Sequence, residues 1–134
     1  MHLQRIVTNP DPYAPFRLAQ GYRLGELLFV SGQAGYDDEG RIAAPGDFDA
    51  QARLAFANLD RALRAGGSSL RNVVKVTIFL TDMAHFPKIV ELRGEYFAPP
   101  YPADTIVEVS SLYSKDAMIE IEAIAVADEA VERN

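Results

Sequence analysis

Residues 119–126 read Ile-Glu-Ile-Glu-Ala-Ile-Ala-Val, and this alternation limits the fold more than any other stretch of the chain. Side chains alternate faces along a strand, so Glu120 and Glu122 must project the same way from a segment apolar enough to lie inside the protein. Two acids one pleat apart in such a place need a cation, hydrogen bonds or a chemical task. Residues 102–109, Pro-Ala-Asp-Thr-Ile-Val-Glu-Val, read as a further strand, and adjacency in sequence suggests that the two form a final hairpin.

The preceding chain supplies partners for these strands. Residues 3–8 pattern as a short strand that stops at Asn9-Pro10-Asp11-Pro12. The irregular aromatic run Tyr13-Ala14-Pro15-Phe16-Arg17 is either a binding loop or one that packs its own rings. Residues 18–24 and 27–31 read as a hairpin about a tight Gly25-Glu26 turn. Leu27-Leu28-Phe29-Val30 has no polar alternation, which predicts a strand covered on both faces. In Ser31-Gly32-Gln33 the glycine permits close backbone approach to a ligand, or makes a bulge or turn; the sequence leaves both open. Asp37-Asp38-Glu39-Gly40 lacks the ligand spacing and distal glutamate of a calcium loop and reads as a solvated turn.

Phe48, Ala52, Ala55, Leu59, Ala62 and Gly66 recur at spacings of four and three, which predicts a helix over residues 49–65. Asp47 or Asp49 caps its start and Gly66-Gly67 its end. Arg53, Asp60, Arg61 and Arg64 form its solvated face. Residues 72–80 follow as a strand, with Val74, Val76, Ile78 and Leu80 on one face and Val73, Lys75, Thr77 and Phe79 on the other. Lys75 is a candidate partner for Glu120 or Glu122, as a structural ion pair or a catalytic lysine. A second helix over residues 84–97, capped by Thr81 or Asp82, tolerates Pro87 in its first turn and ends before Pro99-Pro100. Phe86, Ile89, Val90, Arg93, Tyr96 and Phe97 share its apolar face.

The resulting order is β-β-β-α-β-α-β-β, a two-layer α+β fold with two helices packed on one face of a mixed, mostly antiparallel sheet. Residues 1–134 are expected to form a single domain. The opposite sheet face, with Thr77, Phe79 and Val107, is left uncovered, which predicts a homo-oligomer.

Composition removes several function classes. With 13 Lys plus Arg against 19 Asp plus Glu, the net charge is −6 and there is no basic stripe, so nucleic acid is not an expected partner. The absence of cysteine excludes a disulfide framework and a thiolate nucleophile. His2 and His85, the chain's 2 histidines, are too few and too dispersed to suggest a paired-histidine nuclease site. Asp104, Glu108, Glu120 and Glu122 would meet as oxygen ligands only if their strands align, and a hydrogen-bonded acidic cluster is the simpler outcome; neither metal nor cofactor is expected. Apolar runs are far shorter than the roughly 20 residues that span a bilayer, and the N-terminus lacks the pattern of a signal peptide, so no membrane partner and a cytoplasmic location are expected.

Ser31-Gly32-Gln33, the Gln51-to-Asn58-Leu59 helix face, residues 73–83 (Val-Val-Lys-Val-Thr-Ile-Phe-Leu-Thr-Asp-Met), Pro102-Ala103 and residues 119–125 together resemble the reactive-intermediate deaminase (Rid, or YjgF-type) family over nearly the whole chain. The resemblance implies a chorismate-mutase-like fold and a homotrimer whose sheets form a central barrel, with a small-molecule cleft at each subunit interface. It also implies cofactor-free hydrolysis of a reactive enamine or imine to a ketoacid and ammonia. In the family an arginine directly after Pro-Ala binds the substrate carboxylate, and the first glutamate of the Ile-Glu-Ile-Glu segment handles water. Glu120 matches that glutamate, and Ser31 with Gly32 matches the backbone part of the cleft.

Asp104 stands where the arginine is expected, reversing the charge at the carboxylate-binding position. Such a residue repels an anion and accepts hydrogen bonds from an amine or hydroxyl, which implies an altered substrate choice. A cation within reach of Asp104 would restore recognition of a carboxylate. Phe16 or Leu18 falls at the family's tyrosine position, and Arg17 either enters the cleft or is an exposed loop arginine. Three functions follow: a Rid-type hydrolase using Glu120 as general base with its pKa raised by the apolar strand, a non-catalytic trimeric binding protein, and, least in keeping with the acidic composition, an endoribonuclease or translation inhibitor.

Overall fold

The computed structural model describes residues 2–132. Its elements are β1 (Leu3–Ile6), β2 (Gly21–Leu24), β3 (Leu27–Gln33), α1 (Phe48–Ala65), β4 (Val73–Leu80), α2 (Phe86–Tyr96), β5 (Ala103–Glu108) and β6 (Ile119–Val126). The strands form one six-stranded mixed sheet in the order β1-β2-β3-β6-β4-β5, with both helices on one face. The expected element order is therefore present. No helix among the described residues is long and apolar enough to cross a membrane.

Local signals set most boundaries. Asp47 accepts a hydrogen bond from the Ala50 N–H at 3.0 Å, capping α1, and Asp82 does the same for the Ala84 N–H at 2.9 Å before α2. Gly25 adopts φ 61° in the two-residue turn that joins β2 to β3. The core lies between α1 and the sheet, where Ala52, Ala55, Phe56, Leu59, Ala62 and Leu63 meet Val76, Ile78, Ile119 and Ile121. Phe56 and Leu63 widen the stripe that the three-four spacing predicts.

The final strands do not form a hairpin. β5 lies parallel to β4, with Val76 opposite Asp104, while β6 pairs antiparallel with both β3 and β4. The reason is the crossover through α2, which returns the chain to the same end of the sheet before β5 starts. β6 then fills the gap between β3 and β4.

The face assignments shift in two places. A register break between Val73 and Lys75 puts Val73 in the core and leaves Val74 46% exposed, the reverse of simple alternation. On α2 the buried residues are Ile89 and Leu92, whereas Val90 is 52% exposed, so the apolar face is rotated from the one expected. The face of α1 that carries Arg53 is not simply solvated: Arg53 bonds Asp49 at 3.0 Å and Glu95 of α2 at 2.6 Å, and Lys88 of α2 reaches Asp49 at 3.0 Å. These pairs are exposed and set helix orientation more than stability.

β3 is covered on one side only. Leu28 and Val30 are buried, but Leu27 and Phe29 are 42% and 41% exposed. The described residues supply no second cover for this strand, and Tyr22, Phe29, Val74 and Val107 leave apolar surface on the face away from the helices.

The rotated face of α2 gives a direct test. Leu92→Ala should cost about 2–5 kcal/mol in urea denaturation, and Val90→Ala less than about 0.5 kcal/mol; equal losses would contradict the packing described.

Candidate functional site

The site begins with a mismatch in the sheet. Val30 pairs with Ala123 and Gln33 with Ile121, so Ser31 and Gly32 together stand opposite Glu122 alone. This bulge turns Gly32 toward Glu120. A Cβ at position 32 would lie 2.1 Å from Glu120 Oε1, a separation no side chain can occupy. Of the two readings that the sequence left open, the structure shows the bulge, and the close neighbour of the glycine is the protein's own carboxylate. Ser31 holds the bulge from the other side, its N–H donating to Gln20 O and its Oγ to Ala19 O, each at 2.8 Å.

Glu120 lines a cavity of about 160 Å³ whose other walls include Tyr13, Phe16, Gly32, Tyr36 and Tyr113. Tyr13 donates its hydroxyl to Gly32 O, while Asp11 accepts from the Tyr13 N–H at 3.0 Å. Tyr36 donates to Gln33 Oε1, and its ring lies 5.4 Å from that of Tyr13. Tyr113 donates to Gly40 O at 3.0 Å. Two buried amides of α1 support these walls: Asn58 donates to Ala34 O and Tyr36 O at 2.9 and 3.1 Å. Gln51 donates to Ala44 O and Asp116 O and accepts from the Met118 N–H, each at 2.9 Å. Those contacts fix the loop after β3 and the approach to β6.

Burial, followed by repulsion from Glu122, raises the Glu120 pKa above the usual carboxylate range. Burial also pushes Tyr36 and Tyr113 up to about 12 and raises Tyr13 further. The phenols are thus neutral near pH 7. The cavity combines a proton-accepting carboxylate with three neutral hydroxyls inside an aromatic enclosure.

Phe16 and Leu18 both reach the wall of this cavity, and Tyr13 is the phenol that bonds the bulge. Arg17 is exposed, in a left-handed backbone conformation at φ 60°, and is not part of the wall. Ser31 instead lines a broader groove on the open sheet face, with Lys75, Thr77 and Glu122. Lys75 makes no ion pair with either glutamate; it donates to Thr105 Oγ1 at 2.7 Å and Val76 O at 3.2 Å. Its register position, opposite Ile124, leaves it diagonal to Glu122, and its ammonium turns to the Thr105 hydroxyl and Val76 O.

Asp104 is elsewhere. As the partner of Val76 it projects to the helix side of the sheet, opposite to Glu120. Arg93 of α2 donates its Nε–H to Asp104 Oδ2 at 2.8 Å, and its guanidinium lies 5.6 Å from the Phe86 ring centre. The negative charge of Asp104 is therefore compensated by a cation in direct contact. Glu108, on the same side as Asp104, accepts from the Met83 N–H at 2.8 Å. The four acids considered as oxygen ligands are split between opposite sheet faces. Among the described residues no group of three or more His, Cys, Asp or Glu side chains could hold a metal ion.

Residues 8–127 match the family model described as Endoribonuclease L-PSP. The chain belongs to this Rid (YjgF-type) family. A RutC family protein of Pyrococcus horikoshii is 42% identical over 116 residues, covering 87% of this chain and 90% of that protein. A protein of Dermatophagoides farinae named 2-iminobutanoate/2-iminopropanoate deaminase is 33% identical, covering 96% of this chain and all of its own length (100%). The crystal structure of RidA from the Antarctic bacterium Psychrobacter sp. PAMC 21119 superposes with a TM-score of 0.83 at 35% identity, covering 92% of this chain and 98% of that one. The matched span contains the bulge, the Ile-Glu-Ile-Glu strand and both helices.

Sequence reasoning missed Tyr13, Tyr36 and Tyr113 as a group, because they come from three segments that converge only through β3, β6 and the α1 amides. The usable signal was the pair of uncharged polar residues Gln51 and Asn58 on an otherwise apolar helix face, which have to bond loops rather than solvent.

Because the folded state raises the Glu120 pKa, its contribution to stability is present below the ordinary glutamate pKa of about 4.3 and is lost as pH rises through the raised value. Glu120→Gln removes that loss. The melting temperature of the variant minus that of the unsubstituted protein should grow as pH rises from about 4 toward neutrality, and a decreasing difference would mean that the protein stabilises the ionised form.

Proposed function

We propose that this Rid-family protein is a hydrolase that converts a small enamine or imine to the corresponding carbonyl compound and ammonia. The observation that carries this reading is Glu120, a carboxylate of raised pKa set against the Gly32 bulge inside an aromatic cavity. The name of the mite relative, an imine deaminase, supports the same reaction class for this chain.

In this reaction Glu120 takes a proton from water as the oxygen adds to the imine carbon, the C=N electron pair moves to nitrogen, and Glu120 passes that proton to the nitrogen to give the neutral carbinolamine. Glu120 then takes the hydroxyl proton of the carbinolamine and delivers it to the nitrogen, the C–N bond breaks as the carbonyl forms, and ammonia leaves, so one water is consumed for each imine. The neutral Tyr13, Tyr36 and Tyr113 hydroxyls restrict where a polar substrate sits, and the rings around them limit access of bulk water. Arg93, paired with Asp104, returns a cation to that position, so the altered substrate choice that the acid alone implies is not carried further.

The open sheet face supports a homotrimer: Tyr22, Phe29, Val74 and Val107 present apolar surface that a second and third copy would cover. Light scattering should give three chain masses, and Phe29→Glu should lower that value. A monomer for the unsubstituted protein would refute the assembly.

Ammonia release from imines generated in situ by an amino-acid oxidase tests the chemistry. Glu120→Ala should lower the rate by about a hundredfold or more. Equal rates for variant and parent would remove Glu120 from catalysis, and ligand-dependent thermal shifts without turnover would indicate a binding protein instead.

A further inference from the structure

The turn Asp37-Asp38-Glu39-Gly40, which the sequence marks only as solvated, faces the strap of residues 109–118 that joins β5 to β6. Gly40 from the turn and Tyr113 from the strap both line the Glu120 cavity. Tyr113 is also 53% exposed, so it forms outer wall, with one side toward the cavity and the other toward water. The cavity volume of about 160 Å³ is close to that of an apolar cavity of about 150 Å³ that encloses one benzene molecule. A wall at this place sets how long a molecule the cavity takes.

The two sides are held differently. In the turn, Asp37 Oδ1 accepts from the Glu39 and Arg41 N–H groups at 3.0 Å each, while the Asp37 N–H donates to Arg41 O at 2.7 Å and the Gly40 N–H to Asp37 O at 3.0 Å. Gly40 adopts φ 82° there, a conformation suited to glycine, so its carbonyl is presented from a fixed frame. The strap is fixed at its ends. The Val109 N–H donates to Leu80 O at 2.8 Å, and Gln51 of α1 bonds Asp116 O and the Met118 N–H, each at 2.9 Å. Between those anchors Ser110, Ser111 and Tyr113 are exposed. Among the described residues, the stretch 110–113 makes a single hydrogen bond to another segment, from the Tyr113 hydroxyl to Gly40 O at 3.0 Å. A neutral hydrogen bond beside water contributes little net, whereas the Asp37 turn opens only by losing several bonds together. Motion is therefore expected in the strap and not in the turn.

We propose that Tyr113 is a specificity-determining latch: its hydroxyl on Gly40 O holds the strap closed around a molecule about the size of benzene, and the strap swings outward to admit and release it. The ring sets the length of the cavity and the hydroxyl sets how often it opens. As a statement about substrates this rests on the proposed hydrolase; as a statement about which molecules enter it does not.

Titration of the full chain with 2-butanone and with 4-phenyl-2-butanone, followed by the Gly32 and Gly40 amide shifts in NMR, tests the latch without turnover. 2-Butanone should shift both amides, and 4-phenyl-2-butanone, although more apolar, should bind no more tightly. Tyr113→Ala removes the ring and should tighten binding of the phenyl ketone by about tenfold or more, with 2-butanone changed by less than about threefold. Tyr113→Phe keeps the ring but loses the bond, and should tighten the phenyl ketone by about threefold to tenfold. Neither ketone is hydrolysed, so a protein inactive on imines can still show the size preference and an active one can lack it, which separates failure of the latch from failure of the hydrolase. No Gly32 shift with either ketone, tighter binding of the phenyl ketone by the unsubstituted protein, an unchanged preference in Tyr113→Ala, or a Tyr113→Phe variant matching its parent would each overturn the proposal. The preference of the unsubstituted protein and the Tyr113→Phe result keep the test decisive if Tyr113→Ala does not fold.

Discussion

Glu120 occupies the volume that any side chain at position 32 would need, and much of the molecule follows from that contact. A side chain at position 32 would displace the carboxylate from where it lies, and the bulge between Val30 and Gln33 is what turns that position toward it. The bulge in turn leaves backbone groups that Tyr13 and Gln33 bond, Tyr13 at Gly32 O and Gln33 at Ser31 O. Tyr36 joins through Gln33, and Asn58 holds the Tyr36 backbone from α1. The helix is thereby tied to the position of one acid on the far side of the sheet.

The sheet also separates two kinds of electrostatics. On the open face burial of Glu120, with repulsion from Glu122 added, gives a carboxylate that holds its proton more tightly than usual. On the helix face an acid and a base touch, Asp104 with Arg93, and the pair is close to neutral as a unit. The first arrangement suits proton transfer, since the group responds to small changes in its surroundings. The second suits recognition, because a fixed dipole discriminates by the charge pattern of what approaches.

The parts legible in the sequence were those governed by short-range rules. Three-four spacing located α1, Asp47 its start, and Gly25-Glu26 the turn between β2 and β3, each set by backbone geometry within a few residues. Alternation put Glu120 and Glu122 on one face, and the family resemblance fixed the architecture. The parts not legible depend on distant partners. Nothing local to residues 103–108 says that they run parallel to β4, because α2 decides this. Val90 and Leu92 are equally apolar, and the position of α1 selects Leu92 for the core. Val74 leaves the core because of one extra residue in a ladder whose other side lies some fifty residues on. Arg93 reads as part of an apolar stripe until β5 brings Asp104 to it.

β6 is the last strand among the described residues, yet it lies between β3 and β4 near the middle of the sheet. During synthesis β3 and β4 therefore wait with unpaired edges and half a core until residues 119–126 have emerged, so the sheet cannot be assembled progressively from its N-terminal end. The closure joins segments far apart in sequence, an arrangement that slows folding and leaves apolar strand edges open to other chains in the interval. A nascent chain of this design has reason to be shielded on the ribosome until its final strand is free to insert.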